Sequence, residues 1–405
     1  MMREALKTIM SPLLSLFIFA LCSGFFLTFL SLAMNAHDES PLMIGAMTGI
    51  FYAGLVCGSF RIESFIMRVG HIRAFSTFAS LLAVISLLHG IFYNMPLWFV
   101  LRFITGFGTA GIFVVIESWF LCGSMAAVRG RMISLYMITF YAAEALGQLL
   151  INLGTGNTLL LYSIAAMLCS LSVIPLSMTR TPTPELTEAS SMNLVTLCKQ
   201  TTSSVFGCFF AGMILSATYA LLPILCSEIY HDTSSVSVFM FCFIMGGMLL
   251  QYPVGQFSDR IDRRLTVIIV CLFAIICSVL LMYYIKSYYL SLVLITLFGG
   301  LATTIYPVCI SYACDTLDTK NIVAGIQGLL LSYSIGSMLG PLIAPLFMHD
   351  LNETHIFIYF IIIFGLTAVL FAWRKTQTDS ALQDEPFQVM RQTTPVMANI
   401  DPRAK

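Results

Sequence analysis

The sequence runs to 405 residues and balances 20 Lys and Arg against 20 Asp and Glu, while 58% of it is hydrophobic. Charged residues make up 10%, against roughly 25% in soluble domains, so the solvent for most of this chain is lipid. A net charge of zero offers nothing to attract a nucleic acid. The 12 cysteines lie in apolar runs without a CxxC pair, as small buried hydrophobes do. The 6 histidines show no metal-ligand spacing, so neither a metal nor a cofactor is expected.

A helix crosses the hydrocarbon core with about 20 apolar residues. The first such run, 11–34, follows Arg3 and Lys7. It is longer than the h-region of a signal peptide and lacks an A-x-A site, so it reads as an uncleaved span. Further spans are predicted at 42–62, 74–93, 96–119, 132–153 and 158–178. The stretch from Thr179 to Thr202, with its Thr-Pro-Thr-Pro, Glu185 and Glu188, has linker composition. A second set of spans follows at 204–227, 235–257, 265–285, 288–313, 322–348 and 355–373. The polar end from Lys375 to Lys405 reads as a disordered tail. The expected organisation is therefore an all-α membrane protein of twelve transmembrane helices. It comprises a six-helix half at 1–178, a linker at 179–203, a second half at 204–373 and a tail at 374–405.

Loop charge sets the orientation. With the N-terminus in the cytoplasm, the inner segments hold 18 of the 20 Lys and Arg; the outer loops hold Lys286 alone, and Arg102 lies inside a span. Both termini are thus expected in the cytoplasm. Trp98, Trp119 and Trp373 fall at span ends, where indoles favour the water–lipid boundary. The halves also read as repeats, since a shift of 192 puts Gly54 on Gly246 and Arg68 on Arg260. Parallel repeats of this kind suit alternating access around a central cavity.

The sharpest motif is Gln251-Tyr-Pro-Val-Gly255-Gln-Phe-Ser258-Asp259-Arg260-Ile-Asp262-Arg263-Arg264, in the inner loop between spans 8 and 9. Glycine permits close helix approach, Asp259 can pair with a nearby cation, and the arginines anchor the loop. The motif resembles the G-x-x-x-D-R-x-x-R-R signature of the major facilitator superfamily, and the resemblance covers roughly residues 10 to 373. In the first half the signature is degraded, with Met67 at the position matching Asp259. Span 4 carries Arg102-Phe-Ile-Thr-Gly106-Phe-Gly108, similar to the R-x-x-x-G-x-G motif of proton-coupled members. Span 11 carries Gly336-Ser-Met-Leu-Gly340-Pro341, similar to an antiporter motif that normally lies in span 5. Here span 5 has Gly147-Gln148 instead. The run from Gly111 through Glu117-Ser118-Trp119 to Arg129-Gly130-Arg131 resembles the YcaD-like branch of the superfamily.

Ionisable groups in lipid are costly and usually face a cavity or a partner. Two lie deep: Arg102, about 9 Å inside the outer end of span 4, and Glu144, about 13 Å inside that of span 5. Matching depth on neighbouring helices makes them candidates for an ion pair, either a proton-coupling site or a fixed structural link. Tyr141, Glu144, Gln148 and Asn152 form one polar face of span 5. In the second half the polar candidates are Tyr219, Gln251, Tyr306, Gln327 and Tyr333, each also a candidate helix–helix hydrogen bond. Gly255, Asp259, Arg260, Arg263 and Arg264, with Glu117 and Arg131, are candidate gating residues. Asp315 is a candidate partner of Lys320, and Glu228, Asp232 and His89 are expected to face water or headgroups.

The resemblance implies a secondary transporter that moves a small organic molecule across the inner membrane. It would act as a monomer with protons as its coupling partner, either exporting a toxic compound or taking up a metabolite. A non-transporting receptor on the same scaffold is the rival. It would need a signalling domain larger than the tail of about thirty residues. A channel lacks a filter-like loop, and an enzyme lacks a nucleophile–base or metal constellation.

Overall fold

The computed structural model describes residues 2–123, 129–154, 157–178, 194–317, 321–348, 353–377 and Thr394. Thirteen α-helices occupy them. The first six are α1 (Met2–Asn35), α2 (Pro41–Val69), α3 (His71–Ile91), α4 (Met95–Gly123), α5 (Arg129–Leu149) and α6 (Thr158–Ser177). A short α7 (Leu194–Gln200) precedes α8 (Thr202–Tyr230), α9 (Thr233–Ser258), α10 (Arg263–Tyr284), α11 (Tyr288–Thr316), α12 (Ile322–Ile343) and α13 (Ile356–Gln377). Twelve of them, all but α7, are long and apolar enough to cross a membrane, and they coincide with the twelve expected spans.

Local chemistry places the helix ends. Ser40, Asn157 and Asp232 each accept backbone N–H groups at a helix start, which satisfies donors that have no intrahelical partner. A single residue, Gly70, links α2 to α3 at φ 89°, a conformation that would strain a side chain.

The packing is the same arrangement made twice. α1 lies on α5, α2 on α4 and α3 on α6; in the last six spans α8 lies on α12, α9 on α11 and α10 on α13. The crossings match residue by residue. A Cβ at Gly24 would overlap the Glu144 carbonyl, and one at Gly212 that of Tyr333. Likewise Gly106 meets the Phe51 carbonyl and Gly299 that of Phe243. Small residues let these backbones touch, as membrane helices require when lipid supplies no hydrophobic drive between them.

The two sets of six meet chiefly through α2 on α12, α5 on α9 and α1 on α8. At the Lys/Arg-poor end, Gly45 and Gly49 of α2 sit against the backbone of Pro341 and Met338 in α12. Asn35 donates to Glu228 at 2.8 Å, and Ser237 donates to Asn152 at 3.1 Å. These contacts close that end of the molecule.

Five expectations need correction. α4 and α5 are sequence neighbours but barely touch, because α4 packs on α2 and α3 while α5 packs on α1 and α9. Trp98 and Trp119 are buried in protein rather than turned to the boundary, Trp98 donating to the Phe92 carbonyl at 2.6 Å and Trp119 lying edge-on to His71. Of the three indoles only Trp373 is exposed. His89 is buried too, against the Trp98 and Phe26 rings with Nδ1 2.9 Å from the Ile85 carbonyl. Within the expected linker, α7 is ordered, and its buried Leu197 lies over Gly325 and Gly328 of α12. α13 continues past the expected start of the tail to Gln377; of the remainder Thr394 is described, and 378–393 and 395–405 lie outside the described residues.

Candidate functional site: a cavity between the two sets of helices

A cavity opens between the two sets of six, with about 1110 Å³ of space free of protein atoms counting the open solvent at its mouth. α4 contributes Arg102, Thr105 and Thr109, whose three- and four-residue spacing puts them on one helix face. α5 contributes Tyr141 and Glu144, and α2 contributes Phe51, Tyr52 and Leu55. From the last six spans come Leu215 and Tyr219 of α8, Thr303 of α11 and Tyr333 of α12.

Arg102 is 2% exposed, and its guanidinium lies over the Phe51 ring, 4.7 Å from the centroid. The ring face supplies the partial negative charge that a desolvated cation needs. Its Nε has no hydrogen-bond partner among the described residues. Glu144 faces the same cavity from α5, but among the described residues no salt bridge joins it to Arg102. The two groups share a chamber, since their helices stand on different walls.

The polar face of α5 divides by depth. Tyr141 and Glu144 line the cavity. Gln148 instead donates to the Gly24 carbonyl at 2.6 Å and ties α5 to α1, and Asn152 takes part in the contact with α9. Of the second-half candidates Tyr219 lines the cavity, its ring edge-on to Phe243 at 5.6 Å. Tyr306 is buried behind it and packs edge-on to Tyr333 at 5.1 Å, so it supports a cavity residue. Gln327 is buried in α12 away from the lining residues, and its Nε2 finds no partner among the described residues.

The signature loop forms a clamp at the Lys/Arg-rich end. Arg263, fully buried, sends Nε to Asp315 at 2.6 Å and Nη1 to Asp259 and Ser258, each at 3.1 Å. It thereby joins the end of α9, the start of α10 and the end of α11. Asp315, expected to pair with Lys320, is thus held by Arg263; Lys320 lies outside the described residues. Asp262 caps α10 and pairs with Arg264 at 3.0 Å, whose guanidinium reaches the Tyr312 ring. Gly255 is buried in the last turn of α9, and Arg260 is exposed. Glu117 is buried in α4 and accepts from Tyr136 at 3.0 Å and from Thr394. The side chain of Arg131, its expected partner, lies outside the described residues.

Phe51, Tyr52, Thr105 and Thr109 escaped the sequence reading. The two threonines were reachable by stepping three and seven residues from Arg102. Phe51 and Tyr52 carried no such signal, because apolar rings inside a span look alike whether they face lipid or a chamber.

The family model of the Major Facilitator Superfamily matches residues 13–329 and 204–394. Relatives described as uncharacterized MFS-type transporter YcaD occur in Escherichia coli strain SMS-3-5 and Shigella flexneri serotype 5b. Each is 27% identical over 354 residues, covering 87% of this chain and 92% of the relative. Among solved structures, the nucleoside transporter NupG aligns at a TM-score of 0.74 and 16% identity, over 91% of this chain and 98% of its own. A bacterial homolog of the human lysosomal transporter Spinster, inward-facing and occupied, aligns at 0.76 and 12%, over 93% and 97%. A D-xylose–proton symporter aligns at 0.72 and 13%, over 94% and 98%. Identities this low speak for the fold alone.

Proposed function

The chain belongs to the major facilitator superfamily, and from that premise we propose that it is a proton-coupled transporter of a small organic molecule in the inner membrane. It is a multi-pass membrane transporter and not an enzyme. One observation carries the finer reading: Arg102 and Glu144 open onto one cavity lined from both sets of six helices. Glu144 is the one carboxylate among the described residues lining it, and it takes up a proton when the chamber opens to one face of the membrane and releases it when the chamber opens to the other. Arg102 keeps the chamber from becoming negative and holds the substrate.

The two sets of six helices rock about this cavity, each forming one half of the transporter. Closure at the Lys/Arg-poor end, which loop charge places outside the cell, describes a protein whose outer gate is shut. Both termini then lie in the cytoplasm, the Arg263 clamp belongs to the inner gate, and a monomer suffices.

Proteoliposomes loaded with a pH-sensitive dye and challenged with pooled metabolites and drugs test this reading. Wild-type protein should acidify or alkalinise the lumen with at least one pool. The Glu144→Gln protein should move no protons yet still exchange that pool's labelled components. Wild-type exchange without any proton movement would end the coupling reading.

A further inference from the structure

We propose that the substrate is a flat aromatic monocarboxylate, held by Arg102 through its carboxylate and by the surrounding rings through its body. The inference rests on the transport reading above and goes further by naming the ligand. Arg102 is the one cation, and Glu144 the one carboxylate, among the described residues lining the cavity. The guanidinium is buried, its Nε is without a hydrogen-bond partner among the described residues, and no Asp or Glu there forms a salt bridge with it. A desolvated cation so placed is unfavourable until an anion supplies the missing charge and acceptors. The planar guanidinium fork matches a carboxylate, which takes two parallel N–H···O bonds.

The rest of the chamber selects the body. Phe19, Phe26, Phe113, Tyr219 and Tyr333 line it, and the remaining polar groups are largely hydroxyls. Rings of this kind stack an aryl group and offer a second negative charge no partner. A polyanion would leave its further charges unmatched.

Glu144 is the proton site that the transport reading assigns to the same chamber. The bound carboxylate and the carried proton balance in charge, so the cycle moves one neutral acid equivalent.

The test is thermal unfolding and calorimetry on the purified full-length protein in detergent, with benzoate, cinnamate, benzamide, benzylamine and acetate as probes. Benzoate or cinnamate should raise the unfolding temperature, and their uncharged, cationic and non-aromatic counterparts should not. Affinity for the aryl acid should weaken by about tenfold or more in Arg102→Ala, the equivalent of one charge-assisted contact, and be partly restored in Arg102→Lys. Glu144→Gln should retain binding of the aryl acid. Equal protection by benzamide, stronger protection by benzylamine, or no protection by either aryl acid would overturn the proposal. The wild-type comparison stands even if Arg102→Ala fails to fold. Loss of aryl-acid binding alongside intact proton-coupled transport of another pool would reject the substrate class and leave the transport reading in place.

Discussion

Gly45 of α2 lies so close to Pro341 of α12 that a Cβ on the glycine would overlap the proline's carbonyl oxygen. Backbone cannot rotate away as a side chain can, so a larger residue here opposes closure of the Lys/Arg-poor end without touching either half's own core.

Gly45→Leu is therefore expected to shift the resting population towards the state open at that end. Overpacking typically costs about 1–3 kcal/mol, which is roughly a fivefold to hundredfold shift. A reporter is the Asn35–Glu228 contact, 2.8 Å across the two sets of helices. Cysteines placed at both positions should react readily with a short bifunctional thiol reagent, and adding Gly45→Leu should suppress the cross-link. Unchanged cross-linking would show that α2 and α12 close by another route.

The Arg263 clamp makes unequal demands on its two acids. The Asp315 side chain is 2% exposed and that of Asp259 35%. Removing the buried partner strands a buried cation, a loss of about 3–5 kcal/mol; removing the exposed one is worth about 1 kcal/mol or less. Asp315→Asn should lower the unfolding temperature and yield clearly. Asp259→Asn should leave both near wild type and slow transport. Equal destabilisation would remove the distinction between them.

The pH response of the same loop has a definite sign. Burial pushes the Asp262 carboxyl up, but hydrogen bonds from the Arg264 side chain and backbone, then the charges of Arg264 and Lys375, outweigh it and hold the group below its ordinary value. A carboxylate held low adds stability above its unfolded pKa, about 3.9, and loses it as pH falls through the folded value. Wild-type protein should therefore lose more stability than Asp262→Asn when the pH is lowered through that window. The mutant should be the less stable near pH 7, with its helix cap kept because Asn also caps. An identical pH profile in the two would place the coupling elsewhere.

Orientation is checked most simply by reporters. Fusions after Arg264 and after Lys375 should report from the cytoplasm, and fusions at Asp38 or Asp350 from outside. A cytoplasmic signal at Asp350 would break the count of twelve spans.

The spans were legible because burial in lipid imposes one composition on long runs, and every expected span has its helix. Charged residues were legible for the same reason: Arg102 and Glu144 stand out in apolar sequence, and both line the chamber. What sequence order hides is lateral arrangement. Nothing in spans 4 and 5 says that α1 and α2 take the places beside them. Depth along a helix can be counted, but azimuth has to come from packing. Asp315 shows this, since Arg263, the cation that holds it, comes from 52 positions away in the sequence.

The repeat also has an unequal pair at its heart. Gly24 rests on Glu144 and Gly212 on Tyr333, so the position that holds a carboxylate in one set of helices holds a phenol in the other. The two crossings are otherwise interchangeable in kind.

Leu197 seats α7 against α12, so the described part of the connection travels with the last six spans. A gene cut between codons 178 and 194 would leave each product with all the packing partners inside its own set of six. The surfaces of α2, α5 and α1 that receive α12, α9 and α8 would then do the work of the peptide bond. Two separately translated polypeptides should find each other in the bilayer and copurify through a tag on one of them, which would also allow wild-type and altered versions of either portion to be combined at will.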